Sequence, residues 1–450
     1  MAAEAASAPE AAVRAFLENS GTVKAGDTVV VAVSGGADSM CLLHVFKKYS
    51  SQFGFNILAA HFEHGLRAEA SLRDAAFVES FCRREGIACR VEYGSVPDAR
   101  MTGESVETCA RRLRYQFLER IDDSAWIATA HNADDNAETM LLALARGTGL
   151  KGLGGIPPVR GRIIRPLLDV TRSQIEAYLK REAIPFVTDE TNLEDAYSRN
   201  RIRHLAIPAL TGVDPSAVTV MKRCADSLRE DEACLDALAR EALTGFDGLA
   251  ADCAPLTAAH PAIAKRAIRL LVERWGCLHA EKRHIDALYD GLTAGCNVNL
   301  PGGLIVRVEA GRVYPVFHKL TETAYDDKTD RYALGAAVIL METADADSIL
   351  PLSRKQLSLS GYADADALSG AVFRLPAPGD TFLHGGTGRR IRLGAYLARF
   401  GVPAGQRASV PVLCRDHHVL WSAYAGVSGE ALAAAGTSRP VRIYVQKERF

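Results

Sequence analysis

A chain of 450 residues, 48% hydrophobic and 24% charged, has the composition of a soluble globular protein of about two to four domains. No run approaches the roughly 18 apolar residues of a membrane span, and the Ala-rich start, with acidic residues outnumbering its one Arg, fits neither a signal nor a transit peptide. A net charge of −1 supplies no global field for nucleic acid, and ten cysteines without a CxxC pair disfavour zinc ribbons, iron–sulfur centres and dithiol motifs. Scattered thiols of this kind suit a reducing, cytoplasmic compartment.

The elements then follow in chain order. Residues 28–33 (TVVVAV) are continuously apolar and β-branched, as in a strand buried on both faces. A helix is predicted over 38–48, a strand over 55–61, and a helix over 71–85 stopped by Gly86. A third strand (87–93), a third helix (104–121), a fourth strand (125–130) and a fourth helix (134–146) repeat the alternation. Strands alternating with helices predict an α/β fold with a doubly wound parallel sheet, whose ligands lie at the carboxyl ends of the strands. The stretch 146–161 is too rich in Gly and Pro for regular structure and reads equally as a lid or a linker. Two helices, 173–182 and 198–210, close a first domain assigned to 1–212. A mainly helical middle domain, 213–325, carries helices at 216–243, 260–274 and 281–292 and strand-like pieces after residue 299. A polar linker at 325–332 leads into a small α+β C-terminal domain, 326–450, with short strands and one helix over 371–450.

Between the first strand and its helix stands SGGADS: Ser34, Gly35, Gly36, Ala37, Asp38 and Ser39. Adjacent glycines let backbone approach a phosphate, and the following helix offers free N–H groups and a positive dipole end. The serine hydroxyls add donors, and Asp38 can hold magnesium on the phosphates of ATP. The plain alternative is a capped Ser/Gly turn. No GxxxxGK[ST] occurs, so the lysine used in γ-phosphate transfer is missing. The second strand ends in HFEHGLR; His61, Glu63 and His64 read as a metal site, a polar strand end or part of a nucleotide site. On the third helix Glu107, Arg111 and Arg114 share one face, either as a surface ion-pair row or as cations for a polyphosphate. Asp135 and Glu138, one turn apart at the start of the fourth helix, could bind magnesium or an ammonium group. Their plain alternative is helix-start capping by Asp134 with dipole pairing by Asp135. Near the C-terminus Arg389, Arg390, Arg392, Arg399 and Arg407 make a basic patch, fit for RNA phosphates or for solvent alone.

Taken together, these motifs resemble the tRNA(Ile)-lysidine synthetase family of N-type ATP pyrophosphatases, the PP-loop superfamily. SGGxDS resembles the pyrophosphatase loop, and HFEHGLR is similar to HVDHGLR with Glu63 in place of Asp. ETCARRLRY matches ExxARxxRY, and AHNADDNAET resembles THHxDDQxET, with Asn132 and Asn136 replacing His and Gln. The stretch 184–204 matches DxSNxxxxxxRNxIR through Asp189, Thr191 (for Ser), Asn192, Arg199, Asn200, Ile202 and Arg203, a pattern lacking in other pyrophosphatase-loop groups. The resemblance implies an adenine nucleotide α-hydrolase-like domain that binds ATP through residues 34–39 and His61, with Mg²⁺ at Asp38. Asp38, Arg111, Arg114, Asp135, Glu138 and Arg203 would be catalytic; Asp135 and Glu138 would also hold L-lysine. Arg389, Arg390, Arg392 and Arg407 would contact tRNA. The implied reaction adenylates the wobble cytidine of a tRNA(Ile) with a CAU anticodon and displaces AMP with the lysine ε-amine. Oligomeric state stays open, a homodimer among the options. A tRNA thiolation enzyme would want the CxxC that is missing, and a decayed, merely RNA-binding chain should have lost Asp38, Arg111 or Asp135.

Overall fold

The computed structural model describes residues 8–65, 68–187, 198–316, 322–334, 337–344, 360–434 and 436–446. They divide into two compact units, Met1–Glu232 and Ala233–Phe450.

The first unit is built on a sheet whose strands, in chain order, are β1 (Thr28–Ala32), β2 (Asn56–Glu63), β3 (Ala88–Tyr93), β4 (Trp126–Ala128), β5 (Val159–Arg160) and β6 (Ile163–Ile164). Its helices are α1 (Ala8–Asn19), α2 (Ala37–Phe53), α3 (Ala68–Glu85), α4 (Val96–Ala99), α5 (Val106–Ile121), α6 (Ala133–Ala145), α7 (Leu150–Leu153) and α8 (Arg172–Arg181). The spatial order is β3-β2-β1-β4-β6-β5, parallel except for the β5–β6 hairpin. The Val-rich run of β1 explains why this sheet forms in the middle of the unit. Val29 and Val31 pack into a core with Val13 of α1, Met40 and Phe46 of α2 and Tyr178 of α8. Val30, pointing the other way, packs with Phe117 and Leu118 of α5 and Ile127 of β4. A strand whose alternate residues enter two different cores has no polar face to show, hence the unbroken apolar pattern. α2 stops at Gly54, whose φ of 73° is the left-handed cap that glycine takes without penalty.

Three expectations need correction. The Gly/Pro-rich stretch 146–161 is not structureless: it contains α7 and β5, and its end is fixed to α6. Asn136 Oδ1 accepts from Ile156 N at 2.7 Å, and Gly155, with φ 64°, leaves no room for a Cβ, which would fall 2.2 Å from that same oxygen. The helix expected over 198–210 is a short helix, Ser198–Arg201, a π turn, Ile202–Ala206, and a further helix, Ile207–Val213. In the second unit strand Arg331–Leu334 begins inside the expected linker, and the C-terminal stretch has two helices, Leu393–Arg399 and Ala404–Arg407, where one was expected.

The second unit pairs helices Pro261–Arg274 and Lys282–Ala294 with a small sheet that includes Cys296–Asn299, Ile305–Glu309 and Arg312–Val316. Two further antiparallel-rich sheets, one containing Arg389–Arg392 and the other containing Pro440–Val445, share a core around Phe373, Phe382 and Trp421. Among the described residues, no helix is long and apolar enough to cross a membrane.

Candidate active site

At the carboxyl ends of β1, β2 and β4 lies a cavity of about 530 Å³, the place a doubly wound sheet reserves for ligands. Ser34, Asp38 and Ser39 line it from the first loop, His61, Glu63 and His64 from the end of β2, and Glu107, Arg111 and Arg114 from α5. His131, Asp135 and Arg199 complete the lining.

The loop at residues 34–39 is wound by its own hydroxyls. Ser39 Oγ donates to the Gly36 carbonyl at 2.9 Å and accepts from Ser34 N at 3.1 Å, while Gly36 N donates to Ser34 Oγ at 3.3 Å. Gly35 holds φ at 90°; a Cβ there would make only ordinary contacts, so conformation rather than space demands glycine. Gly36, as N-cap of α2, lacks a capping side chain, which leaves the first N–H groups of a 17-residue helix for a ligand.

Asp38 is the most strongly held group of the loop. Asn132 Nδ2 donates to its Oδ1 at 3.1 Å, and Arg172 Nη1 donates to its Oδ2 at 2.5 Å. Burial pushes its pKa up to about 6, with nearby Asp135 adding to the rise and Arg172 opposing it. Among the described residues no group of three or more His, Cys, Asp or Glu could hold a metal ion. A lone carboxylate oxygen beside a phosphate site is the donor set magnesium uses, completed by phosphate and water oxygens. The residues present therefore fit magnesium and do not offer a metal site independent of nucleotide.

Asn132 also starts α6. Its Oδ1 accepts from Asp135 N at 3.0 Å, and Asp135 Oδ2 accepts from Asn132 N at 3.1 Å, a reciprocal capping box. The cap is thus Asn132, not Asp134, whose Oδ2 instead accepts from Arg172 N at 2.7 Å and ties α8 to α6. The other oxygen of Asp135 lies 3.7 Å from Arg203 Nη2. Glu138 is fully buried behind it, bonded by Arg203 Nε at 2.6 Å and faced by Arg199 Nε at 3.3 Å. Burial raises the pKa of both carboxylates, and the two arginines oppose the rise. Asp135 therefore fronts the cavity, and Glu138 acts on it through the arginines.

Part of the lining is cationic. Arg111 and Arg114 lie over the Tyr115 ring at 5.0 and 5.7 Å, and burial together with Arg111 lowers the pKa of Arg114. Burial, then Arg165, Arg111, Arg114 and Arg199, hold His131 at a pKa of about 3, so it is neutral at physiological pH. His64 falls to about 4 through burial and Arg114. His61, also depressed by burial, has Nδ1 2.8 Å from the Val33 carbonyl oxygen; a neutral ring donating there keeps Nε2 as an acceptor. Glu63 spends Oε1 on Gly65 N at 2.8 Å, the part of a polar strand end.

The structure thus brings Ser34, Asp38, Ser39, His61, Arg111, Arg114 and Asp135 to one cavity, with Glu138 and Arg203 directly behind. Asp189, Thr191 and Asn192 lie outside the described residues, as does Arg67 of the HFEHGLR stretch. Arg389, Arg390, Arg392 and Arg407 belong to the second unit; Arg390 pairs with Glu430, and Arg407 Nε donates to the Val402 carbonyl at 2.9 Å. Sequence reasoning passed over His131, Asn132 and Arg172 as site residues. His131 and Asn132 could have been found beside the acidic pair, but nothing local to Arg172 announces a partner 134 residues away.

Residues 7–210 match the model of the PP-loop domain family. A tRNA(Ile)-lysidine synthase from Symbiobacterium thermophilum is 32% identical over 97% of this chain and 97% of its own length. One from Dehalococcoides mccartyi is 31% identical over 95% and 97%. The chain belongs to the tRNA(Ile)-lysidine synthase family. A further relative of that name, from Clostridium acetobutylicum, is 29% identical over 96% of this chain and 98% of its own. Membership in this family makes the chain an ATP-using ligase of tRNA modification, and its likeness to these relatives runs through both units.

Proposed function

We propose that the chain ligates L-lysine to C2 of the wobble cytidine of a tRNA(Ile) with a CAU anticodon, through an adenylated base. The observation that carries this reading is one cavity lined by a phosphate-binding loop, by Arg111 and Arg114, and by a separate carboxylate, Asp135. ATP lies with its phosphates on residues 34–39 and the start of α2, and magnesium, held by Asp38, would offset phosphate charge there. Arg111 and Arg114 stabilise the charge that builds as cytidine O2 attacks the α-phosphorus and pyrophosphate leaves. The base has to leave its stack to reach the cavity.

The second step needs a neutral amine. Asp135 receives the lysine ammonium, and a carboxylate with a raised pKa is suited to take its proton before the nitrogen attacks C2. The C2–O2 bond then breaks and AMP departs with the oxygen. Arg203, bonded to Glu138, stands 3.7 Å from Asp135 and steadies its charge. Neutral His131 can contribute a hydrogen bond without repelling the ammonium. Residues 1–212 supply catalysis in this reading, while 213–325 and 326–450 hold the tRNA, with Arg389, Arg390, Arg392 and Arg407 on its backbone. The setting is the cytoplasm, where tRNA, ATP and free lysine meet.

With ATP labelled at the α-phosphate, label should pass to AMP and never to ADP, and only when the CAU tRNA is present. Asp135→Asn should raise the KM for lysine while leaving the KM for ATP nearly unchanged. Label in ADP, or equal loss of both KM values, would refute the assignment.

A further inference from the structure

Each oxygen of Asp38 accepts one hydrogen bond, Oδ1 from Asn132 Nδ2 and Oδ2 from Arg172 Nη1, so a cation at this carboxylate competes with two partners for its charge. The two partners are not equivalent. Asn132 is 3% exposed and committed to the α6 cap, so its amide is fixed. The Arg172 side chain is 43% exposed, and its Nε already has a second acceptor, Glu176 Oε1, at 2.9 Å. The guanidinium is therefore the partner that can leave. Its backbone cannot: Arg172 N is bonded to Asp134 Oδ2 at 2.7 Å, and α8 behind it is locked by the Thr171–Gln174 capping box.

We propose that Arg172 is exchanged on nucleotide binding: it neutralises Asp38, yields that carboxylate to magnesium, and then pairs with the departing pyrophosphate. The inference rests on the reading of Asp38 as magnesium ligand. Its physical basis is charge balance. A half-buried carboxylate close to Asp135 is costly without a cation, and the cost is met first by a guanidinium and then by the metal. A freed guanidinium, planar and forked, matches two phosphate oxygens at once. No bond to Arg172 forms or breaks in the reaction.

The test uses the full chain and the variants R172Q, R172K and D38N. Manganese, as a probe for magnesium, is titrated by electron paramagnetic resonance against protein holding ATP with a non-hydrolysable α,β-methylene bridge, and pyrophosphate is measured as an inhibitor of lysine transfer. R172Q should bind manganese about tenfold more tightly, since its competitor is gone, and pyrophosphate about tenfold more weakly, the usual size for one charged hydrogen bond. The KM for lysine should stay unchanged, and R172K should recover part of both effects. A purely structural arginine would weaken both together; that result, or unchanged pyrophosphate inhibition, overturns the proposal. Should D38N bind manganese as well as the unmodified chain, the magnesium reading of Asp38 fails and the exchange with it. Pyrophosphate inhibition of R172Q would then report separately whether the arginine meets phosphate.

Discussion

His131 shows how far the cavity's charges reach into the stability of single residues. Its folded pKa of about 3 lies below the ordinary 6.5, because burial and four arginines oppose a proton on the ring. Between those two values the unfolded chain binds the extra proton and the folded chain does not. Stability from this group is therefore complete above about pH 6.5 and is lost as pH falls toward 3. At pH 5 the loss is of the order of 2 kcal/mol. Thermal melts at pH 7 and pH 5 should show His131→Asn losing less than the unmodified chain; parallel losses would contradict the charge environment described here. His64, depressed to about 4, carries the same sign. The residue scale was also the most legible in the sequence. SGGADS and the Asp135/Glu138 pair announce themselves, because a phosphate loop and a helix-start acid pair are local patterns. Arg172 does not, since its meaning lies in a contact made by folding.

At the scale of elements, Asn132 ties three things together: the start of α6, the carboxylate of Asp38 and the orientation of Asp135. Asn132→Ala removes the capping box and should cost about 1 kcal/mol in denaturant unfolding. It should also raise the KM for ATP more than a cap lost elsewhere, for example His260→Ala at helix Pro261–Arg274. Equal KM values in the two variants would reduce Asn132 to a cap. The alternation of strands and helices over 28–146 was readable because β1, β2 and β4 are apolar, largely buried runs separated by helix-length segments, and even the more exposed edge strand β3 keeps strand-forming residues. The hairpin at β5–β6 was not, for two-residue strands are too short to carry a periodic signal. The π turn at Ile202–Ala206 was likewise invisible, as it depends on the packing that brings Arg199 and Arg203 to Glu138.

Across the whole molecule, charge is nearly balanced, so tRNA must be held by local clusters rather than a global field. Arg389 and Arg392 are exposed at the ends of one strand in the second unit. If they meet phosphates, Arg389→Ala with Arg392→Ala should weaken tRNA binding and lower the salt slope by about 1 for each lost contact. The KM values for ATP and lysine should not move. An unchanged salt slope would return this patch to the solvent. Where the units end was less legible than what the first one does, because the helix Ala217–Glu241 runs through the division between them.

The central claim is that the loop at residues 34–39 drives lysine onto tRNA. Its most direct test is transfer of labelled lysine to a tRNA(Ile) with a CAU anticodon, with and without ATP, beside Asp38→Ala. Incorporation that requires ATP and disappears in the variant is the predicted result. Incorporation without ATP, or undiminished in Asp38→Ala, would contradict it.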